Sequence, residues 1–540
     1  MNKYLKYFLI GIILVGIFLR FYQLEEQFIY SDEKTEIIAG LKMHHQSLQA
    51  GVNYEGIHPP LAKWLMGVPT KNIERNFLPL DVEGVLTYSY ETYEIVKENY
   101  VSMRYVSAIA GGLIIIFIYL LTRKIFGSDA AIWAAVLMSI SADMIFLSRI
   151  AMNDNFLILF SLLTLFFYIQ YLNSSGKRRY IFILLTSFFL FFTLGTRAIQ
   201  PLFIIPTIIA GQIFFKRKKS SLIENLLLLV LIIFSVVSVY SFLYSQHGVI
   251  FGKFGAKSIF DLIGFSFPRF FWGLIFRNGY LHLFSLFLIF YFALSKLKLD
   301  KTDLYKKIFD NKGLLVLILY FLVSSLVLGL SKAGDDRLSP FSTFIQFTNR
   351  YAIVLYPALF VLGGYSISKM SKGIFTAIPL LLIALTIYFL VPLIPNYLGT
   401  YSNFGIRGYE ILDAGHVEDD QKTIEILKGL KNPPILTNEI NLLIFYEPSF
   451  PLFTIGVGEN NIKNISENYP YDPRCSKENM EILKKDGFLI VYRKTNYDVN
   501  NFLLDPSFCY FFRDLNLAKA YETNELIIYA QTEAPVQNST

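Results

Sequence analysis

Two acidic residues stand side by side near the start of the chain, in the stretch FIYSDEKTEIIAG at residues 28–40. They are Asp32 and Glu33, and they follow closely on a strongly apolar run. A third acid, Asp154, lies in the stretch SRIAMNDN. A positioned carboxylate can accept the proton of a hydroxyl group as that hydroxyl forms a new bond. These residues, Asp32 among them, are therefore candidates for general base catalysis.

Each of the three acids also has a purely structural explanation. Asp32 could cap a helix over residues 33–48, a role that is compatible with catalysis. Asp154 could cap the fourth apolar segment in the same way, and Arg149 is either its ion-pair partner or a phosphate ligand. Glu33 could bind the acceptor or a neighbouring cation, or it could be a solvated residue of the first helical turn, which the helix dipole favours.

Basic side chains accompany these acids between the apolar segments. The candidates are His58, Lys63, Arg149, Arg197, Arg277 and Arg350. Such a set predicts a site for an anion, most naturally a phosphate, and the apolar segments around it suit a lipid tail. Lys63 and His58 could instead reach lipid headgroups, and Arg197 and Arg350 could hold their segments at the membrane interface.

A metal ion is not indicated by the histidines. His44, His45, His58, His247 and His282 do not show metal-ligand spacing. Acidic residues near a phosphate could still recruit a divalent ion such as Mg²⁺ or Mn²⁺. The sequence therefore assigns no cofactor and leaves a divalent metal open.

Composition places these residues in a membrane protein. Of the 540 residues, 54% are hydrophobic and 17% are charged, whereas soluble domains usually carry about 25% charged residues. Repeated apolar runs of about 20 residues are long enough to span a bilayer. The net charge is +7, and its basic residues cluster between the apolar runs. This distribution indicates membrane topology and not nucleic acid binding.

Eleven membrane spans are predicted, at about residues 4–22, 102–122, 129–147, 155–172, 180–195, 198–215, 223–245, 278–295, 313–331, 351–368 and 373–394. With the amino terminus in the cytoplasm, every inner loop is rich in Lys and Arg, as the positive-inside rule requires. All the candidate acids and cations then lie at the outer face. The first outer loop, residues 23–101, is predicted to hold two amphipathic interfacial helices, one ending at Gly51 and one over PPLAKWLMGV.

Residues 396–540 are predicted to form an extracytoplasmic α/β domain that follows the transmembrane region, residues 1–395. Strands are expected at PPILTN, PLFTIG, GFLIVYR and ELIIYAQ, and helices at EDDQKTIEILKGL and SKENMEILKKDG. Cys475 and Cys509 both lie in this region. An oxidising exterior permits a disulfide between them, and two unpaired thiols are the alternative.

Four short motifs resemble those of a group of membrane enzymes. They are DE after the first span, HPPLAK in the first outer loop, SRIAMND before the fourth span and RY at the start of a late span. In this order they are similar to membrane-embedded glycosyltransferases with the GT-C fold, in particular dolichyl-phosphate-mannose protein O-mannosyltransferases and the lipid A aminoarabinose transferase. The resemblance covers about residues 1–395. It implies that Asp32 is the catalytic base and that Asp154 borders the active site.

Two departures from that group bear on the acceptor more than on the donor. The loop around residues 246–277 has no β-trefoil insert of the kind that eukaryotic protein mannosyltransferases carry. His58 stands where the aminoarabinose transferase has a lysine before its Pro-Pro pair.

The residues and the resemblance together lead to one expected function. A sugar, mannose or a similar hexose, is moved with inversion from a polyprenyl phosphate donor to an acceptor hydroxyl at the outer membrane face. The acceptor is a protein, with a lipid or a glycan as the alternative. A transporter or flippase for lipid-linked sugars is the rival from another class. Transporters place substrate charges near the bilayer midplane, whereas here the charges gather at one face.

Overall fold

The computed structural model describes residues 3–22, 24–26, 31–54, 59–70, 81–82, 85–86, 90–197, 203–215, 221–247, 289, 311–330 and 353–370, together with five strands between residues 435 and 531. The chain divides into two compact units. The first comprises residues 1–27, 32–70 and 100–411, and the second comprises residues 28–31, 71–99 and 412–540. The predicted boundary at residues 395 and 396 lies outside the described residues and stays a prediction.

The described part of the chain contains thirteen α-helices. They are α1 Lys3–Phe21, α2 Ser31–His45, α3 Leu48–Tyr54, α4 Leu61–Gly67, α5 Tyr90–Phe126, α6 Ser128–Ser139, α7 Ala142–Arg149, α8 Asn153–Asn173, α9 Arg178–Leu194, α10 Ile204–Phe214, α11 Ser221–His247, α12 Lys312–Leu330 and α13 Tyr356–Met370. Short 3₁₀ turns lie at Leu24–Glu26 and Ile353–Leu355. Nine of the eleven predicted spans overlap one of these helices. The spans at 278–295 and 373–394 lie almost wholly outside the described residues, so the total of eleven stays a prediction.

Four of the described segments are long and apolar enough to cross a membrane: Lys3–Phe21, Glu98–Phe126, Asn153–Asn173 and Ile223–Phe242. In α8, 83% of the most apolar window is buried inside the protein, against 22% in α1 and in α11. A helix that is apolar on all sides is stable either in a core or against lipid. We therefore place α8 at the centre of the helical unit, with α1 and α11 presenting apolar side chains outward.

The third predicted span is two helices instead of one. The helix α6 ends at Ser139, Ser141 has an extended backbone with ψ of 114°, and α7 begins at Ala142. Breaking a helix frees backbone carbonyls, which must find other donors when they are buried. Arg20 of α1 supplies these donors. Its guanidinium donates to the carbonyl of Ser139 at 3.2 Å and to that of Met138 at 3.1 Å.

The helix α2 is deeply buried. Residues 36–43 are buried on every side of the helix, so α2 packs against protein all round, and its predicted position at the membrane interface stays a prediction. Gly51 lies inside α3, not at the end of a helix. Asp32 is the second residue of α2, so it does not occupy the capping position before the helix. The helix predicted over PPLAKWLMGV is confirmed as α4, which begins just after Pro60.

The strands lie in the second unit. A two-residue hairpin pairs β1, Asp81–Val82, with β2, Val85–Leu86. A mixed five-stranded sheet has the order β4-β3-β5-β7-β6, with strands β3 Ile435–Thr437, β4 Leu452–Thr454, β5 Leu489–Arg493, β6 Leu517–Glu522 and β7 Leu526–Gln531. β3 runs parallel to β4 and β5, and β7 runs antiparallel to β5 and β6. The four predicted strands are confirmed, whereas β6 was not predicted. The helices predicted for this region lie outside the described residues.

Candidate functional site

Glu33 is fully buried and forms an ion pair with Arg104. Arg104 Nε donates to Glu33 Oε1 at 2.7 Å, and Arg104 Nη2 donates to Oε2 at 2.8 Å. This two-pronged geometry is the strongest arrangement of a guanidinium and a carboxylate. The N–H of Ala151, in the linker before α8, also donates to Oε1, at 2.7 Å. Glu33 thereby connects the first turn of α2 to α5 and to that linker.

Arg104 has a second attachment that fixes its position on α5. Its Nη1 donates to the carbonyl of Leu24 at 2.7 Å, and its guanidinium lies 4.8 Å from the centre of the Tyr100 ring. Arg104 was missed in the sequence because it falls inside a predicted span. An arginine at the outer end of an apolar segment was the signal that could have found it. Of the two explanations for Glu33, the contact with a neighbouring cation is observed, and the solvated side chain is wrong.

Asp154 and Arg197 form a second buried ion pair. Arg197 Nη2 lies 2.8 Å from Asp154 Oδ1, and each side chain is only 1% exposed. Asp154 is in the first turn of α8, where Met152 occupies the capping position, so the capping explanation for Asp154 is wrong. Arg197 follows the turn that ends α9, and the Leu61 N–H at the start of α4 donates to the carbonyl of Gly195 in that turn at 3.1 Å.

The hydrogen bonding of Arg197 is incomplete within the described residues. Its contact with Asp154 is close but not aligned as a hydrogen bond, and its buried Nε and Nη2 find no hydrogen-bond acceptor among the described residues. Buried N–H groups are nearly always satisfied in folded proteins. Arg197 therefore has donor capacity that oxygen atoms of a ligand could use.

Glu36 and Lys63 bring a third acid and a third cation to the same place. Glu36 lies one turn after Glu33 and is 2% exposed, and its Oε1 accepts a hydrogen bond from Asn153 Nδ2 at 2.6 Å. Lys63 of α4 is fully buried, so its predicted reach toward lipid headgroups is wrong. The pKa of Lys63 is lowered to about 8, mainly by burial; the nearby Glu36 raises it and Arg197 lowers it. Neither Glu36 nor Asn153 was singled out from the sequence.

These residues form one group, which we call the charged cluster. It consists of Glu33, Glu36, Lys63, Arg104, Asn153, Asp154 and Arg197. Its members come from α2, α4, α5, the start of α8 and the segment after α9. Buried ions are stable only when they are paired and hydrogen bonded, and the cluster contains as many carboxylates as cations.

Arg149 holds the end of α1 in place. Its Nη1 donates to the carbonyl of Leu19 at 2.9 Å and also to that of Tyr22. The ion pair observed for Asp154 is with Arg197, which takes the place that the sequence had suggested for Arg149. Arg20 makes the reciprocal contact, because it lies on α1 and donates to carbonyls at the end of α6. Two arginines therefore tie the segment that leads into α2 to the broken third span.

Comparison with known proteins identifies the architecture. Residues 91–240 match the family model described as dolichyl-phosphate-mannose-protein mannosyltransferase. The crystal structure of ArnT from Cupriavidus metallidurans in the apo state superimposes with a TM-score of 0.59 at 12% identity, covering 97% of this chain and 97% of that chain. The same protein bound to undecaprenyl phosphate gives a TM-score of 0.56 at 12% identity, over 97% and 98% of the two chains. The chain has the GT-C fold.

The oligosaccharyltransferase of Archaeoglobus fulgidus is similar at 11% identity with a TM-score of 0.49, over 91% of this chain and 70% of that chain. No curated protein sequence matches at a significant level. The proteins that match are glycosyltransferases of membranes, and the apolar helices of this GT-C chain agree with a multi-pass membrane protein.

The family match covers only part of the charged cluster. Residues 91–240 include Arg104, Asn153, Asp154 and Arg197, whereas α2 and α4 lie before that range. The side chain of Asp32 and the residues His58, Arg277, Arg350, Cys475 and Cys509 lie outside the described part of the structure. Within the described residues, no group of three or more His, Cys, Asp or Glu side chains could hold a metal ion. The predicted roles of all these residues stay predictions.

Proposed function

We propose that this protein is a glycosyltransferase that uses a polyprenyl phosphate sugar as donor. The observation that carries the proposal is the buried Arg197, whose Nε and Nη2 have no hydrogen-bond acceptor among the described residues, within a GT-C fold. A buried cation with N–H groups that no described residue satisfies, close enough to act on the fully buried Lys63, suits the phosphate of such a donor. The ArnT structure with undecaprenyl phosphate supports this choice of lipid.

Asp32 is the proposed catalytic base. The hydroxyl oxygen of the acceptor forms a bond to the anomeric carbon of the sugar while the bond from that carbon to the phosphate oxygen breaks. The proton of the hydroxyl passes to the Asp32 carboxylate, and the polyprenyl phosphate leaves with the bonding electron pair. Attack opposite to the leaving group inverts the anomeric centre. A general base of this kind typically contributes about 10²–10⁴-fold to a rate.

Glu33 is assigned a different role from its neighbour. Because Arg104 and Ala151 already donate to its carboxylate, Glu33 is a positioning residue in this proposal. It fixes the first turn of α2, and with it the backbone of Asp32. The two neighbouring acids therefore have different roles in this proposal: Glu33 holds the helix, and Asp32 accepts the proton.

The cations hold the donor and stabilise the leaving group. Lys63 and Arg197 contact the phosphate, and Asp154 orients Arg197 through their 2.8 Å ion pair. His58, Arg277 and Arg350 complete the proposed phosphate site, and Arg149 supports it through the end of α1. Positive charge at the departing phosphate stabilises an oxocarbenium-like transition state. The site faces the cell exterior, with the amino terminus in the cytoplasm and residues 396–540 outside.

The test uses the full-length protein in lipid nanodiscs with radiolabelled polyprenyl phosphate mannose. Acceptor peptides, lipids and glycans are compared with and without Mg²⁺. Asp32→Asn should lower transfer by at least about 100-fold, whereas Glu25→Gln, the same change on an exposed side chain, should leave the rate unchanged. Equal rates in Asp32→Asn and wild type would overturn the role of Asp32. Failure to bind any donor, tested with several different sugars, would overturn the proposed function, and binding without transfer to any acceptor would favour the transporter or flippase.

A further inference from the structure

The helices α2 and α4 cross at backbone contact distance. A Cβ atom on Gly40 would lie 2.8 Å from the carbonyl oxygen of Lys63, and one on Gly67 would lie 2.8 Å from the carbonyl oxygen of Gly40. Farther along, His44 Nε2 lies 2.7 Å from the carbonyl oxygen of Trp64. Such close approach fixes the two helices relative to each other, since neither has room to shift toward the other.

This crossing sets the neighbourhood of Lys63. Glu36 lies one turn before Gly40, and positions four residues apart share one face of a helix. Lys63 lies one turn before Gly67 on α4 in the same way. The facing surfaces of the two helices therefore carry Glu36 and Lys63, and both side chains are almost completely buried, at 2% and 0% exposure.

The surrounding charges act on Lys63 in opposite directions. Glu36 on α2 favours the ammonium form, and Arg197, which follows α9, disfavours it. Asp154 on α8 is already paired with Arg197, and Glu33 on α2 is paired with Arg104 of α5. Glu36 is in turn held by Asn153, which donates to its Oε1 at 2.6 Å. This hydrogen bond fixes the Glu36 carboxylate at the crossing of α2 and α4, so the carboxylate does not move when a ligand binds or leaves.

We infer that Glu36 is a positioning residue that keeps the buried Lys63 protonated, so that an arriving donor phosphate meets an ammonium group and not a neutral amine. This inference rests on the proposed function, because it needs a phosphate at Lys63. The reason is electrostatic. Burial favours a neutral amine, and the nearby guanidinium of Arg197 adds to that effect, so the charge of Lys63 depends on the opposite charge of Glu36.

The same geometry gives Glu36 two opposed effects on phosphate binding. As a fixed anion it repels the phosphate, and as the partner of Lys63 it maintains the attracting charge. With burial, Glu36 and Arg197 acting together, the pKa of Lys63 is lowered to about 8, close to working pH. Removing Glu36 should therefore help binding slightly at low pH and weaken it at intermediate pH, where only the wild type keeps the ammonium group. A residue with a purely structural role would change binding by the same factor at all pH values.

The experiment measures binding of the methyl ester of undecaprenyl phosphate to the full-length protein in nanodiscs between pH 6 and pH 9.5. This probe is a phosphodiester, so its charge does not change in that range, and it carries no sugar. Wild-type affinity should be constant up to about pH 8 and then fall. In Glu36→Gln the fall should begin about one pH unit lower, the lower end of the range expected for loss of a close opposite charge. At pH 6 the variant should bind at least as tightly as wild type.

Two further variants keep the test decisive. Adding Lys63→Arg to Glu36→Gln should restore binding at high pH, because a guanidinium stays protonated throughout. Glu36→Asp retains the charge and should keep the wild-type midpoint. If Glu36→Gln weakens binding equally at every pH, or leaves the midpoint unchanged, the inference about Glu36 is wrong. If wild-type protein does not bind the probe at any pH, the proposed donor site itself is wrong.

Discussion

Replacing Glu33 with glutamine tests the buried ion pair on which the position of α2 depends. Glutamine offers one acceptor oxygen where glutamate offers two. With that oxygen at the Oε1 position, the bonds from Arg104 Nε and from the N–H of Ala151 remain. The amide nitrogen then faces Arg104 Nη2, which lies 2.8 Å from Oε2 in the wild type. The glutamine amide and Arg104 Nη2 are both donors, so no hydrogen bond forms between them. The Arg104 cation also stays buried without the opposite charge of Glu33.

The magnitude follows from the full burial of both side chains, each at 0% exposure. Losing one partner of a buried ion pair costs about 3–5 kcal/mol, because the other charge is left uncompensated. We expect Glu33→Gln and Arg104→Met each to lower the free energy of unfolding by about that amount. The double variant should be less destabilised than the sum of the two, with a coupling of about 2–3 kcal/mol.

Unfolding can be followed by tryptophan fluorescence as SDS is titrated into protein in mixed micelles. Glu25→Gln makes the same chemical change on an exposed side chain and should alter stability by less than about 0.5 kcal/mol. If the losses in the two single variants add to that of the double variant within about 0.5 kcal/mol, Glu33 and Arg104 are not coupled. The role of Glu33 in holding α2 would then be refuted.

Two other predictions concern the packing and the second ion pair. Gly40→Ala should destabilise the protein by about 1–3 kcal/mol, because the added methyl meets the backbone of Lys63 at 2.8 Å. Gly112→Ala is its matched control, since no described atom lies within 4 Å of the added methyl there, and thermal melting should show no loss. Arg197→Gln should weaken binding of undecaprenyl phosphate by at least about tenfold, whereas Asp154→Asn should weaken it less, because it leaves the guanidinium in place. Equal losses in the two variants, measured in nanodiscs, would show that the phosphate is not held by Arg197.

Apolar periodicity in the sequence was sufficient to locate most of the helices. The spans predicted at 4–22 and 155–172 differ by few residues from α1 and α8, because each is a continuous apolar run of membrane length. The helix α5 extends beyond its predicted span, from Tyr90 to Phe126. The first turns of α5 carry polar residues. The prediction missed them because hydropathy detects the part of a helix that suits lipid and not the whole helix.

The pairing of charges could not be predicted in the same way. Glu33 and Arg104 are 71 residues apart, and Glu36 and Asn153 are 117 apart. Which acid meets which cation depends on the packing of α2, α4, α5 and α8, and nothing local in the sequence specifies it. The missed break between α6 and α7 has the same origin, because the donor that satisfies its carbonyls is Arg20 on a different helix.

Burying ionised groups without a ligand requires that their charges balance. In the charged cluster Glu33, Glu36 and Asp154 stand against Arg104, Lys63 and Arg197, so the described groups sum to zero, which makes their burial tolerable. A donor phosphate adds a negative charge to this neutral group. Lys63 and Arg197 can share it with the carboxylates they already face, but they cannot neutralise it. The additional positive charge must come from outside the cluster, and this is the physical reason for keeping His58, Arg277 and Arg350 in the proposed phosphate site.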